Sequence, residues 1–458
     1  MKYETDSRKI KPGQIFVAIK GHTVDGHNFI NDAVNNGASK IISEKDIECT
    51  IPIEVVSSTE DYLKKALAKE YSKEINKLKI IGITGTNGKT TTAYLTYQLL
   101  NLLGNDCAYL GTIGYKYKDD NVVLENTTPD ILTIYSILLN LVDKGCKTVV
   151  MEVSSHALSY ERIYGLHIDI AAFTNLTEDH LDYHKTMENY LNEKLKIIDY
   201  MNTNSILIVN SDDKASQKFL NKFGKGITIG FSDKDDYFIK DTNIKPDKTS
   251  INFKFNNTYY NVNICLTSKF NVYNYITALA IVHSMNYDIE DIIKKSYNLI
   301  PPKGRCETYK INKGYAVVDY AHTPDAVEKV ITAYNELKKN RVITIVGCGG
   351  DRDPLKRPIM GKIATTLSDY TILTNDNPRT EDPKKIMDDI IKGISNNNYE
   401  VEFDRHKAIY KGIEMIMPED ILLILGKGHE DYQIIGRTKI HFDDAEEVEN
   451  WKKEHEKN

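Results

Sequence analysis

The chain has 458 residues, 41% hydrophobic and 27% charged, with a formal net charge of −6. That length exceeds one ordinary core and predicts two to three domains. The mixed, slightly acidic charge excludes a non-specific nucleic-acid or membrane-surface binder, which needs a basic face. The longest apolar runs, such as Ile421 to Leu425, fall far short of the ~20 residues of a membrane span. The start, Met1-Lys2-Tyr3-Glu4-Thr5-Asp6, lacks the apolar centre of a signal peptide. Six cysteines are scattered without a CxxC pair, the pattern of reduced, mostly buried thiols in a cytoplasmic protein.

In chain order, residues 1–77 carry short apolar strands (Gln14 to Ile19, Lys40 to Ser43) around a helical stretch, Asn28 to Asn36. Residues 78–300 open with a strand, Leu78 to Thr84, pass through a glycine-rich turn and enter a helix from Thr90. Strands such as Thr148 to Val153 and Ile170 to Phe173 then alternate with helical segments, which predicts a parallel sheet covered on both faces. The pattern breaks at Pro301-Pro302-Lys303-Gly304. Residues 301–458 resume it with strands Ala316 to Asp319, Val342 to Val346, Tyr370 to Leu373 and Ile421 to Leu425. The class expected is α/β in three domains: a small N-terminal α/β domain, a central parallel-sheet domain with a P-loop, and a C-terminal Rossmann-like domain.

The strongest motif is Gly82-Ile83-Thr84-Gly85-Thr86-Asn87-Gly88-Lys89-Thr90-Thr91, between a strand and a helix. A triphosphate needs crowded backbone N–H groups, a helix N-terminus and a cation. Gly85 and Gly88 permit the turn, Lys89 supplies charge for the β/γ-phosphates, and Thr90 offers a Mg²⁺ ligand. Ile83 stands where the general pattern has its first glycine, so this is a shorter variant. A glycine turn opening an ordinary helix is the plain alternative.

Glu152 ends an apolar strand, where a carboxylate needs a partner, and His180 follows the strand Ile170 to Phe173. Both fall at carboxyl ends of parallel strands, where ligands of open α/β sheets collect. Either alone reads as an ordinary strand-end residue; beside a phosphate loop they read as a Mg²⁺ site.

These motifs, in this order and over nearly the whole chain, resemble the Mur ligase family of peptidoglycan biosynthesis. The resemblance makes Gly85, Thr86, Asn87, Gly88, Lys89, Thr90 and Thr91 the ATP loop and Glu152 and His180 metal ligands with Thr90. It makes Lys194, in Tyr190-Leu191-Asn192-Glu193-Lys194, a carbamylated lysine (N6-carboxylysine) that is also a metal ligand. An unmodified lysine is a cation and would repel Mg²⁺, whereas its carbamate is an anion. Lys196, two residues on, falls on another helical face.

By the same resemblance, Thr5, Ser7, His22, Thr23 and Val24 contact a uridine-diphosphate sugar, although the block before Thr5 is shorter than the family's. Asn126, Thr127, Thr128, Ser154 and Arg162 contact the muramoyl peptide, with Tyr160 where the family often has glutamine. Asn271 and Asn274 lie near adenine, in a segment whose usual glycine is Ser268, and Asp404 and Arg405 lie against the nucleotide. Arg305, Asp319 and His322 reach ATP on domain closure, with His322 orienting phosphate.

Asp376-Asn377-Pro378-Arg379 is similar to the segment associated with diaminopimelate, and Arg352, Gly426 and Glu430 match the remaining amino-acid contacts. Diaminopimelate differs from lysine by one distal carboxylate, which a guanidinium binds bidentately, and Glu430 suits an ammonium. The activity implied is ATP-dependent addition of meso-diaminopimelate to UDP-N-acetylmuramoyl-L-alanyl-D-glutamate through an acyl phosphate, with Mg²⁺, by a cytoplasmic monomer. Catalysis falls to Lys89, Lys194, His180, Glu152 and His322. The alternatives are a relative adding L-lysine or another diamino acid, which Arg379 argues against, and a P-loop switch ATPase, which has no use for the third block's amino-acid contacts.

Overall fold

A computed structural model describes residues 1–21, 24–311 and 314–455, with the side chain of Asp182 left aside. Contacts gather the chain into two compact units. The first comprises Met1–Asn87, Leu100–Val209 and Lys214–Gly226; the second comprises Gly88–Leu99, Asn210–Asp213 and Ile227–Asn458.

The first unit begins with a parallel four-stranded sheet in the order β1 (Tyr3–Glu4), β2 (Ile15–Val17), β3 (Lys40–Ser43), β4 (Ile53–Val55). The stretch read as helical from Asn28 is a 3₁₀ turn, Gly26–Phe29, followed by a helix, Ile30–Asn35. Asp25 caps this turn by accepting from the His27 N–H. A larger sheet follows, built from β5 (Lys79–Thr84), β6 (Cys107–Gly111), β7 (Gly114–Tyr117), β8 (Asp120–Val122), β9 (Thr148–Glu152), β10 (Ile170–Phe173) and β11 (Ile206–Asn210).

Their order is β11-β10-β5-β9-β6-β7-β8. The strands from β11 to β6 are parallel and β6-β7-β8 is an antiparallel meander. Parallel strands buried on both faces read as continuous apolar runs, and every residue of β9 and β10 is buried. One apolar core joins Val17 and Ile42 of the small sheet, Leu63 and Leu67 of the helix Thr59–Ile75, and Ile80, Val149 and Phe173 of the large one.

In this sheet β5 lies between β9 and β10, with Ile83 opposite Glu152 and Thr84 opposite Phe173. The carboxyl ends of three adjacent strands therefore carry Gly85, Glu152 and Thr174 side by side. This is the edge where α/β sheets collect ligands.

The second unit contains β12 (Ile227–Gly230), β13 (Tyr237–Ile244), β14 (Thr249–Phe255) and β15 (Thr258–Ile264), whose last three strands form an antiparallel meander. It also contains a six-stranded sheet of β16 (Glu307–Ile311), β17 (Gly314–Asp319), β18 (Val342–Val346), β19 (Tyr370–Leu373), β20 (Tyr399–Val401) and β21 (Ile421–Leu425). Its order is β16-β17-β21-β18-β19-β20, parallel throughout except for the β16–β17 hairpin.

Alternate residues of this sheet point to opposite faces. Val317, Leu423 and Leu373 pack with Ile331, Met360 and Ile386, while Val318, Ile424 and Ile372 pack with Ile409, Ile413 and Trp451. Helices thus cover both faces, the doubly wound arrangement expected of a Rossmann-like domain. A short hairpin, β22 (Tyr432–Ile435) and β23 (Thr438–His441), follows β21.

Candidate active site

The phosphate-loop segment leaves β5 through Gly85, φ +143°, where a Cβ would collide with Thr174 Oγ1. Only glycine combines that backbone with that closeness. Residues 174–177 hold the loop. Thr174 Oγ1 and Asn175 Nδ2 donate to the Asn87 carbonyl at 2.6 and 3.0 Å, and the Asn87 N–H donates to Asn175 Oδ1 at 3.0 Å. Thr86 Oγ1 accepts from the Thr177 N–H at 3.1 Å and donates to Tyr190 Oη at 3.2 Å. A loop pinned by these five hydrogen bonds is set before any ligand arrives, so less ordering is needed on binding.

In the second unit Gly88, φ +84°, opens the helix Lys89–Leu102, which starts one residue before the expected Thr90. Thr90 and Thr91 are buried and Lys89 is half-buried. Thr92 Oγ1 donates to Asn274 Oδ1 at 3.3 Å, Asn274 Nδ2 donates to Asn271 Oδ1 at 2.9 Å, and Asn271 Nδ2 donates to the Thr267 carbonyl at 2.8 Å. Asn271 and Asn274 are thereby brought to the first turn of the loop helix.

Glu152 is fully buried. Tyr109 Oη donates to its Oε1 at 2.5 Å, the Thr112 N–H to the same oxygen at 2.9 Å, and Thr112 Oγ1 to Oε2 at 3.2 Å. The peptide-binding candidates adjoin it. Thr127 Oγ1 lies 3.0 Å from Thr112 Oγ1, Thr128 Oγ1 donates to the Glu152 carbonyl at 2.7 Å, and Ser154 N–H donates to Thr128 Oγ1 at 3.2 Å. Arg162 Nη1 donates to the Thr128 carbonyl at 2.6 Å with its guanidinium 5.5 Å from the Tyr160 ring, while Asn126 is exposed.

Lys194, on the helix Met187–Leu195, is 1% exposed and donates from Nζ to the Gly85 carbonyl at 2.7 Å. His180 has left-handed backbone, φ +54°, and its ring packs edge-on against His156 at 4.9 Å. His184 is buried with Nε2 3.0 Å from Ser155 Oγ and its ring beside Tyr190. Tyr109, Thr112, His156, His184 and Tyr190 were not among the residues expected from sequence. Burial keeps the Tyr190 phenol protonated far above the ordinary tyrosine range.

The residues present suit a hard divalent cation. Glu152 supplies a buried carboxylate and His180 an imidazole, and conversion of Lys194 to a carbamate adds a second anion while retaining one N–H to donate to Gly85. Among the described residues, no group of three or more His, Cys, Asp or Glu gathers as a complete protein-only metal site. A divalent cation bound there would need further oxygens, such as those of a nucleotide.

The second unit holds the amino-acid candidates. Asp376–Arg379 follows β19 and is laced to the segment after β21. Asn377 Nδ2 donates to Glu430 Oε2 at 2.8 Å, and Asn377 Oδ1 accepts from the Ile434 N–H at 2.9 Å and Lys427 Nζ at 3.3 Å. Gln433 Nε2 donates to the Asp376 carbonyl at 2.7 Å and the Arg379 N–H to the Ile434 carbonyl at 3.0 Å. Arg379, φ +51°, directs Nη1 to the Gly350 carbonyl at 2.7 Å. Gly426, φ +119°, sits where a Cβ would lie 2.8 Å from Asp376 Oδ2. Pro378 is buried between these segments, whereas Arg352 is exposed and reaches only the Asp351 carbonyl, at 3.4 Å.

Asp319 is buried, accepting from the Cys306 and Ala321 N–H groups at 2.8 and 2.9 Å; burial raises its carboxyl above the usual range, against the opposing pull of Arg305. The Arg305 guanidinium lies 4.8 Å from the Tyr320 ring. His322 donates from Nδ1 to the Tyr320 carbonyl at 2.8 Å, which fixes Nε2 as its acceptor nitrogen.

Asp404 accepts from the Lys407 N–H at 3.3 Å as the cap of the helix Arg405–Glu414. Arg405 differs from the expected nucleotide contact: its side chain is fully buried, forked onto Asp444 at 2.6 and 2.7 Å and donating to the Leu425 carbonyl at 3.0 Å. In the N-terminal block, the Thr5 N–H donates to Glu4 Oε1 at 2.8 Å, Ser7 is buried with its carbonyl accepting from Asn36, and Val24 is exposed. His22 and Thr23 lie outside the described residues.

Three family models match consecutive segments: the Mur ligase family catalytic domain over residues 3–82, the Mur ligase middle domain over 83–282, and the Mur ligase glutamate ligase domain over 304–428. The UDP-N-acetylmuramoyl-L-alanyl-D-glutamate–2,6-diaminopimelate ligase of Bacillus cereus is 41% identical over 453 residues, 97% of this chain and 92% of the relative. The protein of the same name from Fusobacterium nucleatum is 43% identical over 451 residues, again 97% and 92%.

A solved structure of a UDP-N-acetylmuramoyl-L-alanyl-D-glutamate–2,6-diaminopimelate ligase superimposes with TM-score 0.72 and 32% identity, covering 100% of this chain and 95% of that one. MurF ligase from Thermotoga maritima in complex with ADP shares the fold, with TM-score 0.67 at 20% identity over 93% of this chain and 94% of that one. No helix among the described residues is long and apolar enough to cross a membrane. From three consecutive domain matches and relatives of about 40% identity along almost its entire length, the chain belongs to the Mur ligase family.

Proposed function

We propose that this ligase joins meso-diaminopimelate to UDP-N-acetylmuramoyl-L-alanyl-D-glutamate at the expense of ATP, in peptidoglycan biosynthesis. The observation that carries the reading is the Asp376–Arg379 segment, laced through Asn377 to Glu430, which sets a guanidinium and a carboxylate on facing segments of one unit. Arg379 pairs with the distal carboxylate of diaminopimelate and Glu430 with an ammonium. L-lysine would leave the guanidinium without that partner, and half-buried polar groups left unpaired discriminate strongly.

ATP takes the loop Gly85–Thr91, with backbone N–H groups and Lys89 on its phosphates. An oxygen of the D-glutamyl γ-carboxylate attacks the γ-phosphorus, the bond to ADP breaks, and an acyl phosphate forms. The amine of diaminopimelate then adds to the acyl carbon, loses a proton, and expels phosphate as the amide closes. Two anions ~4 Å apart at an effective dielectric of ~20 repel by about 4 kcal/mol, so charge neutralisation governs the first step. Thr90, Glu152, His180 and carbamylated Lys194 would hold Mg²⁺, which supplies positive charge against the phosphates. Thr127, Thr128, Ser154 and Arg162 orient the peptide, and the first block, residues 1–77, receives the uridine-diphosphate sugar. Residues 78–300 form the ATP-binding domain and 301–458 the amino-acid domain of a cytoplasmic monomer.

Release of ADP and phosphate from the purified protein tests this. It should require both the UDP-linked dipeptide and meso-diaminopimelate, and equal release from ATP alone would refute the ligase reading.

A further inference from the structure

Lys427 is fully buried, and its ammonium has three acceptors for three hydrogens: Asn377 Oδ1 at 3.3 Å, Glu430 Oε2 at 3.3 Å and the Tyr432 carbonyl. A buried cation persists only when paired and hydrogen-bonded. Both contacts to the Glu430 side chain, from Lys427 and from Asn377 Nδ2, are made to Oε2. The Glu430 carboxylate is therefore held by one oxygen and offers Oε1 to an incoming group.

The facing segments 376–379 and 426–430 carry four formally charged side chains: Asp376 and Glu430 against Lys427 and Arg379. Their sum is zero. meso-Diaminopimelate, with two ammonium and two carboxylate groups, is also neutral, whereas L-lysine carries one net positive charge. Removing Lys427 would leave the two segments net negative, and a net negative pocket favours the cation.

We propose that Lys427 is a specificity-determining residue of the amino-acid pocket: it balances the charge of the two facing segments, 376–379 and 426–430, so that a neutral diamino diacid outcompetes a cationic diamino acid, and it fixes which oxygen of Glu430 receives the ammonium. This rests on the amino-acid pocket of the proposed function and goes beyond it, because it gives a part in selectivity to a fully buried cation that acts through Glu430 and Asn377.

The test is the ratio of kcat/KM for meso-diaminopimelate to that for L-lysine, with KM for ATP read in parallel. If the wild-type protein does not prefer meso-diaminopimelate, the pocket reading itself fails, whatever the variants do. Given that preference, Lys427→Met lowers the ratio at least about tenfold with KM for ATP unchanged, and Lys427→Arg, which keeps the charge, stays near the wild-type ratio. A Lys427→Met protein with the wild-type ratio overturns the proposal. Should Lys427→Met fail to fold, Glu430→Gln decides. It slows both substrates but leaves the segments net positive, so the ratio must rise, and a ratio that stays level or falls overturns the charge-balance account.

Discussion

Lys194 Nζ donates to the Gly85 carbonyl at 2.7 Å, tying the helix Met187–Leu195 directly to the first glycine of the phosphate loop. A carbamate on that nitrogen keeps one N–H for this bond and turns a buried cation into an anion. Lys194→Ala is expected to lose at least about a hundredfold in kcat, because charge stabilisation at a reacting phosphoryl group contributes on that scale. Short carboxylic acids added to the assay should restore part of the loss by occupying the vacated space. Full activity of the unrescued variant would reject the modification.

Tyr109 Oη and the Thr112 N–H share Glu152 Oε1, inside a fully buried site. Tyr109→Phe removes one of these donors with little change of shape, leaving a buried carboxylate short of a hydrogen bond at about 1–3 kcal/mol. The variant should melt several degrees lower, at roughly 2–4 °C per kcal/mol for a domain of this size, and should need more Mg²⁺ for half-maximal activity. An unchanged Mg²⁺ requirement would separate Tyr109 from metal binding and leave it a packing role.

Arg405 and Asp444 form a fork with both side chains fully buried. Asp444→Ala strands a buried guanidinium, which destabilises by about 3–5 kcal/mol, while the double replacement Arg405→Met with Asp444→Leu should be far milder. Denaturant unfolding of the two variants measures the difference; equal stabilities would contradict a structural pair.

Burial, with Arg305, Lys303 and His322 nearby, pushes His429 down to about 4. Its folded-state pKa is therefore below the unfolded value near 6.5, and between those values the unfolded chain takes up a proton that the folded chain refuses. Stability should fall as pH drops from about 6.5 towards 4, and the fall should be shallower in His429→Gln. Parallel pH profiles of melting temperature for the two proteins would show that His429 is not the group responsible.

The strands Val342–Val346, Tyr370–Leu373 and Ile421–Leu425 coincide with those read from sequence, because parallel strands buried on both faces spell uninterrupted apolar runs. The phosphate loop was legible because its backbone demands glycine at fixed places. The meander β13–β15 leaves a weak trace because its exposed residues include Lys240, Asp241, Asn243, Asn261 and Asn263, types with little strand preference. Partners of functional residues were harder still. Tyr109 lies 43 residues before Glu152 on another strand, and Asp444 lies 39 residues after Arg405, so neither pairing leaves a local trace. Lys427 lies between Gly426 and Glu430 in the sequence, yet only the fold shows it turned inward onto Asn377 and Glu430 rather than towards solvent.

Under the proposed function, Arg379 selects the acceptor by its distal carboxylate. Arg379→Ala, assayed with saturating ATP and UDP-linked dipeptide against meso-diaminopimelate and L-lysine, addresses it most directly. The expected result is a loss of at least about a hundredfold in kcat/KM for meso-diaminopimelate with no loss for L-lysine, in keeping with removal of a bidentate charged pair. Equal losses for both amino acids, or none for meso-diaminopimelate, would contradict the account.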